Sequence, residues 1–245
     1  MFGNKLINTN AGGGGCVSTV DNYNPFPDGG GVALYQLNGN ANDVSTNYDG
    51  ADSNVTWGGA GVFGTSAAFN GSSSYIYNNV LDTSTTKAVS IWAKPNDFNE
   101  RWAFQQGDGQ GVENYIRFYN IDDIQVRIGN VTQTFSGYSA NTWYHIVAQT
   151  NTSGNANVWI NGVEVGTSTA PTALTVNRTN IGARYNTGFG YQNYFNGSID
   201  QVRIFNRALR PYEVEALYTE EYCTPTIVPS EHFNTVLYTA ATTNG

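Results

Sequence analysis

Val158-Trp-Ile-Asn161-Gly162-Val-Glu-Val165 is the stretch of this 245-residue chain that decides its fold class. Two short apolar runs, VWI and VEV, flank an Asn-Gly pair, and both of those residues tolerate the positive φ of a two-residue type I′ turn. The stretch reads as a tight antiparallel hairpin. Working outward, the same pattern of short alternating strands and turn residues recurs. Residues 88–94 (AVSIWAK) place Val89, Ile91 and Ala93 on one face and Ser90, Trp92 and Lys94 on the other. Residues 33–37, 67–69, 75–77, 101–105, 115–119, 124–128, 143–148, 157–160, 180–184 and 195–205 read as further strands. About a dozen strands without a 40-residue repeat predict a two-sheet antiparallel sandwich rather than a propeller. One helix is expected around residues 210–218 (RPYEVEALY), with proline at the first turn and Val214, Leu217 and Tyr218 on one stripe.

Composition agrees. Charged residues are only 12% of the chain, about half the usual share, while Gly (28) and Tyr (16) are abundant. There are too few Lys, Glu and Arg to cover a helical bundle, and Tyr, Thr, Val and Trp suit strands. The class is all-β. A net charge of -8 with 11 Lys and Arg leaves no basic stripe to displace counterions from phosphates, so a nucleic-acid partner is excluded. The same deficit argues against anionic lipid, and no apolar run is long enough for a membrane span. The start, MFGNKLINTNAGGGG, has no apolar centre, so no signal peptide is expected.

Three segments follow: an arm over 1–31 without periodicity, a sandwich over 32–222, and a tail over 223–245. The two cysteines, Cys16 and Cys223, flank the sandwich. They read either as a disulfide staple between neighbouring termini or as two unrelated thiols. Zinc is not expected, because no CxxC or Cys/His cluster exists. In the tail, FNTVLYT (233–239) has strand character and apolar groups on both faces, so it is expected to pair with a sheet edge or a neighbouring chain.

Candidate catalytic groups are sparse. Glu113, Glu164, Glu213 and Glu215 are isolated or helical, Asp122 and Asp123 read as a turn, and His145 reads as a structural histidine within a strand. Asp200 would share a pleat face with Val202 and Ile204, where a carboxylate must be hydrogen-bonded or bound to a cation. Two aromatic clusters could bind sugar: Tyr185, Asn186, Phe189, Tyr191, Asn193 and Tyr194 between two strands, and Trp102 with nearby amides. Their alternative is packing on the sandwich edge or against a neighbouring subunit.

The set NAND (40–43), AFNGSSSYI (68–76), VSIWAK (89–94), WYHIV (143–147), VWING (158–162) and NGSIDQVRIFNRAL (196–209) resembles laminin-G-like, concanavalin-A-like jelly-roll domains over roughly residues 32–222. The resemblance implies a jelly-roll β-sandwich with one short C-terminal helix and extended terminal arms. It also implies a structural calcium ion joining an N-terminal turn to the last strand, at Asp43 and Asp200, with Asn70 as a further ligand. The paired-carboxylate E-x-D-x-x-E signature of glycosidases on this fold is missing, so a non-enzyme is expected. Residues 230–239 (SEHFNTVLYT), after EEYC, resemble segments of bacteriophage tail-fibre and virion proteins. That implies a virion fibre or surface-decoration protein that partners other virion proteins or its own copies through its arms and displays a lectin-like domain to cell-surface glycans. A bacterial-surface carbohydrate-binding module and a divergent glycosidase are the alternatives.

Overall fold

The computed structural model describes residues 17–18, 21–169, 171–174, 177–219 and 221–222. Both cysteines, the tail strand expected at 233–239 and most of the N-terminal arm lie outside them. Two antiparallel sheets pack face to face. The first has seven strands in the order β11 (Val131–Phe135), β10 (Asp123–Ile128), β9 (Asn114–Tyr119), β8 (Arg101–Gln106), β15 (Thr179–Ile181), β6 (Tyr75–Asn78) and β3 (Ala51–Ser53). The second has eight: β14 (Val163–Ser168), β13 (Ala156–Ile160), β12 (Tyr144–Thr150), β7 (Ala88–Pro95), β18 (Asn196–Phe205), β5 (Thr65–Asn70) and β4 (Thr56–Ala60), with β2 (Gly31–Tyr35) also on β18. The long β18 pairs with β5 through its first half and with β2 through its second. The two-sheet sandwich expected from the alternation is the jelly roll that the resemblance implied, and Asn161 (φ 52°) and Gly162 (φ 77°) make the turn between β13 and β14.

The core between the sheets follows from period two. Ile91, Ile116, Phe118, Ile124, Ile146, Val158, Ile181, Val202 and Ile204 point inward and are almost completely buried. A second apolar cluster covers the outer face of the eight-stranded sheet. There the helix α1 (Pro211–Thr219) lays Val214, Ala216 and Leu217 on Val147, Trp159 and Phe205. Its start is tied by Glu213, which accepts hydrogen bonds from the Arg210 amide (2.7 Å) and from the Arg207 guanidinium (2.7 and 2.8 Å).

Residues 21–31 depart from the expected arm. Phe26 is 3% exposed and stacks on Phe205 at 6.0 Å, so this stretch belongs to the domain. Sequence alternation missed it because one aromatic anchor in a turn-rich segment has no period. Beyond it, β1 (Val17–Ser18) pairs with β19 (Glu221–Tyr222), bringing the two ends of the domain together.

Among the described residues, register shifts interrupt five strand pairings, and two of them fall at candidate residues. In β8 the register shifts between Trp102 and Phe104, which sends Phe104 into the core and Trp102 outward. In β18 the register shifts between Asp200 and Arg203, where Gln201 adopts φ 49°. Ile199 and Val202 therefore both face the core, and Asp200 faces outward opposite Trp92. Asp200 does not share a face with Val202 and Ile204, contrary to the period-two reading.

Candidate functional site

The outer face of the seven-stranded sheet carries a row set by register alone. Thr132, Arg127, Tyr115, Gln105, Asn180, Tyr77 and Ala51 stand directly opposite one another on seven successive strands. A parallel row runs through Thr134, Gln125, Arg117 and Trp102. Such a face normally meets water with small polar groups; here tyrosine and arginine dominate it.

A hairpin lies on this face. After β15 the chain turns at Gly182 (φ 82°), where a Cβ would fall 2.1 Å from the Phe69 ring. It then forms β16 (Arg184–Asn186) and β17 (Gly190–Gln192), paired to each other. The Gln105 side chain clasps the hairpin to the sheet. Its Nε2 donates to the Tyr185 carbonyl (3.0 Å) and its Oε1 accepts from the Tyr185 amide (2.6 Å) and from Asn180 Nδ2 (3.0 Å). The hairpin loop between 186 and 190 is tied by Asn186 Nδ2 to the Gly109 carbonyl and by Gln110 Nε2 to Asn186 Oδ1.

The docked hairpin completes a tyrosine cluster. Tyr191 stacks on Tyr75 with centroids 3.7 Å apart and 19° between planes, and Tyr185 meets Tyr191 edge-on at 5.1 Å. Tyr77 and Tyr194 lie 6.5 Å from Tyr191 and Tyr75 respectively. All five are half-buried, so part of each ring faces solvent. Phe189 stands at the hairpin tip, 81% exposed. Burial, relieved by the Arg178 charge and raised further by Tyr75 and Tyr77, lifts the Tyr191 hydroxyl well above the usual phenol range; it stays protonated as a donor.

Tyr185, Asn186, Phe189, Tyr191 and Tyr194 thus come together, and Asn193 sits at the margin, donating from Nδ2 to Glu100 (3.1 Å). Two corrections apply. Asn186 is 6% exposed, its amide spent on the hairpin loop. Trp102 is 3% exposed beneath the guanidiniums of Arg184 (5.1 Å) and Arg117 (5.5 Å), so it is a floor and not an open platform. Sequence reasoning missed Tyr75, Tyr77, Tyr115, Arg117, Arg127 and Arg178. The signal was present in YIY (75–77) and YIRFY (115–119), where the outward positions of an alternating strand are aromatic or basic.

The expected calcium ligands are differently engaged. Asp43 accepts from the Leu34, Ser45 and Tyr48 amides and from Ser45 Oγ. Asp200 Oδ2 accepts from the Val62 (2.8 Å) and Phe63 (3.0 Å) amides, and Asn70 Oδ1 accepts from the amides of 72, 73 and 74. These backbone N–H groups occupy oxygens that the resemblance assigned to a cation, and among the described residues no three His, Cys, Asp or Glu side chains gather as a metal site. His145 is fully buried, with Nε2 2.8 Å from Ser90 Oγ, and Asp122 lies in the turn before β10. Among the described residues no helix is long and apolar enough to cross a membrane.

Residues 69–215 match the family described as the concanavalin A-like lectin/glucanases superfamily. The chain belongs to that superfamily. Solved structures agree on the fold. Domain 4 of AbnA, a GH43 extracellular arabinanase from Geobacillus stearothermophilus solved in complex with arabinotriose, has a TM-score of 0.61 at 21% identity, over 76% of this chain and 97% of that one. The binding domain of botulinum neurotoxin serotype D has a TM-score of 0.58 at 15% identity, over 77% of this chain and 51% of that one. The receptor binding domain of a botulinum neurotoxin C/D mosaic serotype gives 0.57 at 14%, over 77% and 50%. This superfamily member therefore spans about half of the neurotoxin domains and nearly all of the arabinanase domain. No curated protein matches its sequence.

Proposed function

We propose that this domain binds glycans without cleaving them, through the tyrosine-lined outer face of the seven-stranded sheet. The observation that carries the reading is the meeting of Tyr75, Tyr77, Tyr185, Tyr191 and Tyr194, from two stretches distant in sequence, on one face, with Phe189 projecting beside them. Sugars present C–H faces that stack on such rings, and hydroxyls that the surrounding amides can bind. The acids around the face are engaged otherwise: Glu100 pairs with Arg117 at 3.0 Å, and buried Glu113 accepts from Gln105 Nε2 at 2.9 Å. That supports binding rather than hydrolysis. Membership of a superfamily that includes lectins supports it further.

Display on a phage particle, as a fibre or surface-decoration component, is the second half of the proposal. It rests on the resemblance of residues 230–239 to virion segments. Affinity electrophoresis of the full chain in gels containing arabinan, galactan or polygalacturonate tests the first half. Retardation is expected, with no release of reducing ends, and Phe189→Ala and Tyr77→Ala should each weaken it by roughly threefold to tenfold. Equal mobility in every gel rejects it. Mass spectrometry of purified particles tests the second half. A chain that binds glycans yet is missing from particles is a free or surface-borne module instead.

A further inference from the structure

Four of the chain's eight arginines, Arg117, Arg127, Arg178 and Arg184, stand on the outer face of the seven-stranded sheet or on the hairpin docked there, in a protein of net charge -8. Their partners set them apart from the rest. Arg101 is paired with Asp97, and Arg207 and Arg210 with Asp28 and Glu213. On the face only Arg117 has a carboxylate, Glu100, which is 47% exposed.

Among the described residues the other three pair with no acid. Arg127 donates to the Gly129 (2.9 Å) and Gly111 (2.7 Å) carbonyls. Arg178 lies 3.6 Å over the Tyr185 ring and donates to the Tyr191 hydroxyl at 3.3 Å. Arg184 lies over Trp102 and donates to the Gly109 carbonyl at 3.3 Å. Carbonyls and ring faces orient a guanidinium without neutralising it. The remaining acids nearby are Glu113, turned to Gln105, and Asp108, which accepts from the Gln110 amide.

A second observation points the same way. Among the described residues Trp102 Nε1 and Arg184 Nε, both buried N–H donors, have no acceptor, and they belong to side chains that stack on each other. Native proteins rarely leave buried donors unmet. Here two of them lie beneath uncompensated positive charge.

Resting on the glycan-binding reading, we infer that this face selects negatively charged glycans, with the arginines taking the acidic group and the tyrosines the ring. The protein's overall negative charge repels polyanions, so the attraction is local to the face and falls with added salt.

The test compares binding of the full chain to polygalacturonate (carboxylate), dextran sulfate (sulfate) and neutral arabinan and galactan, at low and at physiological salt. Tighter binding of a charged polymer is expected, and which one binds identifies the acidic group. Arg127→Gln and Arg178→Gln should each weaken that binding by about tenfold, as loss of a hydrogen bond to a charged group does, and leave neutral polymers unaffected. Arg210→Gln, which removes a charge from the helix on the opposite side of the sandwich, should change nothing. The two face variants act singly, so misfolding of one, seen in its melting curve, leaves the other to decide. Equal or better binding of neutral glycans overturns the charge selection while glycan binding stands. Loss of binding in Arg210→Gln overturns it as a net-charge effect. No binding to any polymer overturns the glycan reading itself.

Discussion

His145 sits fully buried between Trp92 (5.1 Å) and Tyr218 (5.9 Å), and burial, reinforced by the Arg203 charge, pushes its pKa down to about 3. Among the described residues its Nδ1 has no partner, so the neutral tautomer that donates from Nε2 to Ser90 Oγ avoids a stranded donor. In the unfolded chain the same ring titrates near 6.5. Above that pH both states are neutral and the residue adds no pH dependence. From 6.5 down to about 3 the unfolded chain gains a proton that the folded one refuses, so stability falls by about 1.4 kcal/mol per pH unit. Urea unfolding at pH 7, 6, 5 and 4 should show this slope, and His145→Gln should flatten it; equal slopes reject the account. Asp200 makes a separate prediction. Removing its carboxylate strands the Val62 and Phe63 amides, so Asp200→Ala should cost about 3 kcal/mol, equally in calcium and in EDTA. A loss of melting temperature confined to calcium buffer restores the cation at this position.

At the scale of elements, the hairpin of β16 and β17 is the part of the site most dependent on one side chain. Gln105 is wholly buried and provides the direct link from the sheet's central row to the Tyr185 backbone. Gln105→Ala should therefore speed amide exchange across 184–192 and weaken glycan binding, while the sandwich core keeps its protection. Uniformly faster exchange throughout the chain contradicts a local clasp. This dependence was not legible in the sequence. Residues 180–184 read as one strand, whereas Gly182 ends β15 and turns the chain back over the face. Period two describes a strand only until a bulge inserts a residue, and two of the register shifts here fall at site or candidate residues, Trp102 and Asp200.

For the whole molecule, the pairing of Val17 with Tyr222 places the sequence neighbours of Cys16 and Cys223 opposite each other. We predict the first of the two readings the sequence left open, a disulfide staple between Cys16 and Cys223 rather than two unrelated thiols. Intact-mass measurement without reductant should find the monomer lighter by two hydrogens, and reduction should lower the melting temperature, with a stabilisation of up to about 5 kcal/mol for so long a loop. Two free thiols under oxidising conditions reject the staple. The docking of Phe26 on Phe205 adds a further closure and packs residues 21–31 on the sandwich rather than apart from it as an arm.

What the sequence determined by itself is local in origin. Alternation marked the strands, Asn161-Gly162 the hairpin, and Pro211 with Val214, Leu217 and Tyr218 the helix, because each depends on neighbours a few residues away. The composition set the net charge at -8, and the hairpin aromatics were visible as a cluster. Only the tertiary structure decided which face they join. Tyr75, Tyr77, Arg178 and Tyr191 become one surface through strand order, since β6, β15 and β8 are adjacent in space and separated in the chain. Burial of Trp102 depends on Arg117 and Arg184, which come from other strands, and the outward turn of Asp200 depends on a bulge, whose single extra residue reverses a side chain and leaves no period to read.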